Sequence, residues 1–120
     1  MVVVLCNCPE TDGVAARLAH DVVERRLAAC VNLLPGVRSF YRWEGRIEDD
    51  QECTLVMKTL PECLPALREY ILTHHPYKLP EIVVVAVDEK LSHPAYLAWV
   101  HAECGLMGSP VGSHTHPQDP

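Results

Sequence analysis

Residues 27–59, LAACVNLLPGVRSFYRWEGRIEDDQECTLVMKT, constrain the fold more than any other stretch of the chain. Two apolar runs, 28–34 and 53–57, flank an aromatic segment at 39–43. The segment ends in Trp43-Glu44-Gly45, a turn signal, because glycine accepts a positive φ without a Cβ clash. The pattern predicts two strands joined by a tight turn. Strands are usually about five or six residues long, so a hairpin of this length should overhang its own domain. Pro35 has no N–H for the ladder, so Pro35-Gly36 predicts a kink in the first strand. The acidic run Glu48-Asp49-Asp50 predicts a bend or bulge in the second. The far end carries Phe40, Tyr41, Trp43 and Ile47. A chain of 120 residues has one modest core and little surface left over to cover them. They either pack against another copy of the protein, the expectation adopted here, or fold back onto their own core.

The flanking segments read as alternating strands and helices. Residues 2–6 are a β-branched run stopped by Asn7-Cys8-Pro9 and predict a buried strand. Thr11 or Asp12 is placed to cap a helix with Ala15, Leu18, Ala19, Val22 and Leu27 on its apolar side. On the other side, Asp21 and Arg25 are four apart, the spacing for a surface pair. Pro61 opens a second helix with an apolar stripe of Leu64, Leu67 and Ile71, and Pro76 ends it. The run 81–87, EIVVVAV, shows no polar alternation and predicts a central strand covered on both faces. Ser92 is placed to cap a last short helix, with Pro94 in its first turn and Leu97 and Val100 facing inward. Residues 105–120 are rich in Gly, Pro, Ser and His without periodicity, which predicts a disordered tail behind one domain spanning 1–104.

The order β-α-β-β-α-β with an added C-terminal helix is the ferredoxin-like plan, an α+β sandwich. Strand and helix directions then bring the end of strand one (Cys6, Cys8), the end of helix two (His74, His75), Glu81 and the hairpin tip to one edge. A thiolate with two imidazoles is a donor set for copper or zinc rather than magnesium or calcium. The spacing leaves the matter open. Cys6-x-Cys8 is not the spacing of a zinc knuckle, and adjacent histidines diverge on a regular helix. His74 and His75 share an ion only if the helix frays before Pro76 or a neighbouring subunit helps. The competing reading gives Cys6 to the core, His74 to the surface and His75 to capping the last carbonyls. Cys30, Cys53, Cys63 and Cys104 read as small buried apolar residues, since nothing points to an oxidising compartment. Tyr77, Lys78 and Glu81 read as an interchain hydrogen-bond network or as ordinary loop residues, and Trp43 and Trp99 as packing residues.

Charge and composition exclude several classes. A formal charge of −6 argues against nucleic-acid binding, which requires Lys and Arg to neutralise phosphates. No apolar run approaches bilayer length, and MVVVLCNCPE lacks the basic and apolar regions of a secretory signal, so the expected location is cytoplasmic and away from membranes. An acylphosphatase-like enzyme would need Arg in an anion cradle after strand one, and Asn7-Cys8-Pro9-Glu10 supplies none. No glycine-rich phosphate loop is present either.

The combination of AACVN, a following Pro-Gly, S-x-Y-x-W-x-G, KT, HPY-x-x-PE and YL-x-W runs from about Val2 to His101 and closely resembles the CutA family, which is linked to divalent-cation tolerance. The resemblance implies a ferredoxin-like subunit and a homotrimer built from interlocking hairpins. It also implies copper binding, with ligands at the positions matching Cys6, His74 and His75, all three of which this chain keeps. The implied function is a non-enzymatic, trimeric copper- or divalent-metal-binding protein of metal-ion homeostasis. The alternative is a trimer resembling the PII signalling proteins, or an anchoring module, with a small ligand or protein partner in the cleft between subunits.

Overall fold

The computed structural model describes residues 1–105, so the tail expected over 105–120 lies outside the described residues except for Gly105. The elements are β1 (Val2–Pro9), α1 (Val14–Glu24), β2 (Cys30–Trp43), β3 (Arg46–Thr59), α2 (Leu64–His74), β4 (Val83–Ala86) and α3 (Pro94–Glu103). A 3-10 turn over Pro61–Cys63 leads into α2. The strands form one antiparallel sheet in the order β2-β3-β1-β4. This is the expected α+β ferredoxin-like plan with a long hairpin and a third helix.

Strand alternation divides the sheet into two unlike faces. Val4, Cys6, Cys8, Leu55 and Met57 point to one face, where Ala15, Leu18 and Val22 of α1 and Leu67 and Ile71 of α2 cover them completely. A second cluster, Ala29, Leu60, Cys63, Val100 and Cys104, packs α3 against the base of the hairpin. Beside it, the buried Thr59 hydroxyl donates to the Leu27 carbonyl at 2.7 Å. The other face carries Val3, Leu5, Val56, Val83 and Val85 in register, and among the described residues no helix covers the β4 residues there. All six cysteines are free thiols, five of them buried and Cys30 half-buried.

The β2–β3 ribbon is fully paired to its tip, where Trp43 faces Arg46 across Glu44 (φ 50°) and Gly45 (φ 79°). Two consecutive positive φ values make the turn whose twist matches the strands. β1 pairs with β3 only as far as Pro9 opposite Glu52. Beyond that point the two strands have only each other, a projection of about 20 Å for six residues. Between Leu34–Thr54 and Val37–Glu52 the register shifts, β2 spending one residue more than β3 at Pro35-Gly36. The kink is therefore where proline placed it.

Several local expectations are corrected. The acidic run does not bulge: Asp49 takes a bidentate Arg38 guanidinium at 2.9 and 2.7 Å, Asp50 accepts the Tyr41 hydroxyl, and pairing continues through both. Residues 83–86 form an edge strand rather than a central one, and Val83, Val84 and Val85 are each nearly half exposed. Helix α1 begins at Gly13 in the left-handed region without a side-chain cap from Thr11 or Asp12. Asp21 and Arg25 make no direct ion pair and interact only through charge; Tyr70 donates to Asp21 at 3.1 Å, and the Arg25 guanidinium lies over the Tyr70 ring. Ser92 donates to the Asp88 carbonyl, and the residue before α3 is His93.

Candidate metal centre at the strand edge

Three donors meet under the end of β1. Cys6 and Cys8 are two apart on a strand, so both point to the helix-covered face, and both are completely buried. The third comes from the end of α2. Pro76 forces the preceding residue out of helical geometry, and His75 is extended (φ −81°, ψ 136°) while its N–H still bonds Ile71 at 2.8 Å. That turn carries its ring under the sheet. Nε2 donates to the Asn7 carbonyl at 2.7 Å, and Nδ1 accepts the Tyr77 N–H at 3.1 Å, so the imidazole is neutral with its proton on Nε2. The ligand atoms of Cys6, Cys8 and His75 lie within 4.8 Å of one another.

The structure does not bring His74 to this cluster. It is exposed on α2, its Nδ1 donates to the Tyr70 carbonyl at 2.9 Å, and its ring stacks on Tyr70 at 4.0 Å between centroids. The reading that assigned His74 to the surface describes its place in the single chain. A second cluster of potential donors, His20, Asp21 and Glu24, lies in successive turns of α1 and is a largely solvated helix face.

The two thiols behave as a pair. The Cys6 thiol donates to the Asn7 carbonyl at 4.0 Å. Its interaction with the neighbouring Cys8 thiol holds Cys6 above the usual thiol range and pulls Cys8 below it, and burial adds to the rise at Cys6. Two sulfurs and one imidazole in a dry site form a soft set that fits monovalent copper and similar ions better than hard, oxygen-seeking cations.

On the far side of β1's end lies an open cleft of about 640 Å³, between the ribbon and the loop leading to β4. Tyr41 and Trp43 line one wall, and Tyr77, Lys78 and Glu81 the other, with Glu52 at the base. The Tyr77 hydroxyl donates to Glu52 at 2.9 Å, and burial together with this bond raises the phenol's pKa. Tyr41 is pushed up to about 12 by its bond to Asp50. Glu81 is raised by burial and then by the neighbouring Glu52 charge. Sequence reading missed this cleft; the signal was the β2 kink, which sets the face on which Tyr41 and Trp43 fall. Among the described residues no helix is long and apolar enough to cross a membrane.

Comparison with known proteins finds relatives along most of the chain. The family profile described as CutA1 divalent ion tolerance protein matches residues 2–103. The protein CutA of Mus musculus is 45% identical over 95 residues, covering 79% of this chain and 52% of the mouse protein, so the chain spans about half that relative's length. The divalent-cation tolerance protein CutA of Thermus thermophilus is 43% identical over 103 residues, covering 86% of this chain and 97% of the relative. Among solved structures, the divalent cation tolerance protein of Thermus thermophilus superposes with a TM-score of 0.82 at 42% identity, covering 88% of this chain and 100% of the other. The PII-like protein CutA from Nostoc sp. PCC 7120 gives 0.82 at 40% identity, with 88% and 99% covered.

Proposed function

Because the chain belongs to the CutA1 divalent ion tolerance family, we propose that it is a metal-binding protein of cation tolerance that holds copper at Cys6, Cys8 and His75. The supporting observation is the convergence of two buried thiols and one buried imidazole within 4.8 Å. Of the ligands expected from sequence, Cys6 and His75 remain, and Cys8 takes the place of His74. The relatives are named for tolerance rather than for a reaction, which supports a binding protein and not an enzyme. Six unpaired thiols suit a reducing compartment such as the cytoplasm. The active form we propose is a homotrimer, supported by exposed Phe40 and Ile47 on the projecting ribbon and by the half-exposed valines of β4.

The residues also dictate how a metal would enter. Both imidazole nitrogens are hydrogen-bonded, so His75 must release Asn7 or Tyr77 to ligate a metal, and the thiol pair must lose protons. Affinity therefore falls as pH falls. The test is anaerobic titration of the full chain with Cu(I) against a competing chelator, with His114 and His116 replaced by Ala throughout to remove stray donors. Removing an outer-shell partner commonly costs about 10–100-fold in affinity, so Cys6→Ser and Cys8→Ser, which remove ligands, should each cost at least that much. X-ray absorption at the copper edge should show two sulfur neighbours and one nitrogen. Unchanged affinity and stoichiometry in the double substitution would overturn the assignment.

A further inference from the structure

We propose that the cleft behind β1 is a binding site for a small organic cation, such as an ammonium, amidinium or guanidinium group carrying an apolar body. Its lining includes four aromatic residues, Phe40, Tyr41 and Trp43 from the ribbon and Tyr77 from the loop. Aromatic faces attract cations through their quadrupole, and more strongly where water is displaced.

Charge selects the same ligand. Glu52 is only 5% exposed, yet just one of its oxygens is bonded, to the Tyr77 hydroxyl. No described buried side-chain oxygen or nitrogen lacks a partner, so the second Glu52 oxygen opens onto the cleft. Glu81 adds a second carboxylate. Against them stands Lys78, which makes no ion pair among the described residues, leaving the cleft one positive charge short. A metal ion is a poor candidate, since neither described group of converging metal donors lies in the cleft. An organic cation sheds its water more cheaply than a hard metal ion and gains from rings and carboxylates together. The volume of about 640 Å³ is within the range of small-molecule sites.

Three probes of one shape and different charge decide the matter: benzamidine, benzamide and benzoate, each titrated into the full chain by calorimetry, with proton NMR as a second readout. Benzamidine should bind one per chain, benzamide roughly ten-fold more weakly or worse, and benzoate not at all. Glu81→Gln should weaken benzamidine and leave benzamide unchanged, and Glu52→Gln should do the same more strongly. If Glu52→Gln does not fold, Glu81→Gln and the charge series carry the test. Equal binding of benzamidine and benzamide, preferential binding of benzoate, or no binding of any probe would each overturn the proposal. Copper plays no part in it, so Cys6→Ser protein must bind benzamidine as the unaltered chain does, and failure here leaves the metal reading untouched.

Discussion

The base and the tip of the β2–β3 ribbon are the same two strands in opposite circumstances. At the base, Leu55, Met57 and Thr59 have no exposed surface, because β1 extends the sheet and α1 and α2 close over it. At the tip, Phe40 and Ile47 are 63% and 69% exposed, and each strand has only the other to pair with. An isolated two-stranded hairpin is at best marginally stable in water. The tip holds its shape through a favourable turn, the Arg38–Asp49 fork and the Tyr41–Asp50 bond, which set its geometry but add little stability at the surface. The contrast teaches that strand propensity alone does not build a core. One ribbon serves as scaffold at its base and as contact surface at its tip.

The sharpest way to test that division is to empty the base. Leu55→Ala removes a completely buried side chain between the two helices, and such changes cost about 2–5 kcal/mol. Chemical denaturation should show that loss across the whole chain; a cost below about 1 kcal/mol would mean that the base is no more a core than the tip. Phe40→Ala makes the converse cut. It should leave the circular-dichroism spectrum unchanged while weakening self-association, by about 2 kcal/mol if Phe40 is one of the few dominant anchors. Sedimentation at micromolar concentration reads this directly, and a monomeric unaltered protein would break the comparison.

The smallest effect is expected at the boundary, where Glu81 faces Glu52. Burial and the Glu52 charge raise the Glu81 carboxyl above its ordinary value near 4.5. The folded chain therefore holds that proton more tightly than the unfolded chain does. The associated stability is complete below the ordinary value and is lost as pH rises through the raised one. Glu81→Gln should consequently melt slightly higher than the unaltered protein at pH 7–8, with the gap closing toward pH 4. A gap that persists in acid would show that Glu81 acts through packing instead of charge.

Much of this was legible in the chain because each element carries its own signal. The β-branched run before Pro9, the helix between Pro61 and Pro76 and the Glu44-Gly45 turn each mark a boundary, and strand directions alone bring Cys6 and His75 to one edge. Other features depend on neighbours that a linear pattern cannot name. Val83-Val84-Val85 reads the same whether two helices cover it or nothing does, so an edge strand looked central. His74 and His75 are chemically identical letters; only the extended conformation before Pro76 separates the buried one from the surface one. The acidic run at 48–50 suggested disruption because its partners, Arg38 and Tyr41, lie across the ribbon and not beside it in sequence.

The extra residue at Pro35-Gly36 acts as a parity switch. Before it, odd-numbered residues of β2 such as Val31 and Leu33 stand opposite Met57 and Leu55, on the helix-covered side. After it, the odd positions Ser39, Tyr41 and Trp43 stand opposite Asp50, Glu48 and Arg46, in phase with Glu52 and Thr54 on the other side. Deleting Gly36 would take out the extra residue, so that Leu34, Pro35 and Val37 would stand opposite Thr54, Cys53 and Glu52 in unbroken pairing. Tyr41 and Trp43 would keep Glu48 and Arg46 as partners, and with them their side of the ribbon. The extra residue thus bends the ribbon and lets both halves of β2 stay in phase with an uninterrupted β3.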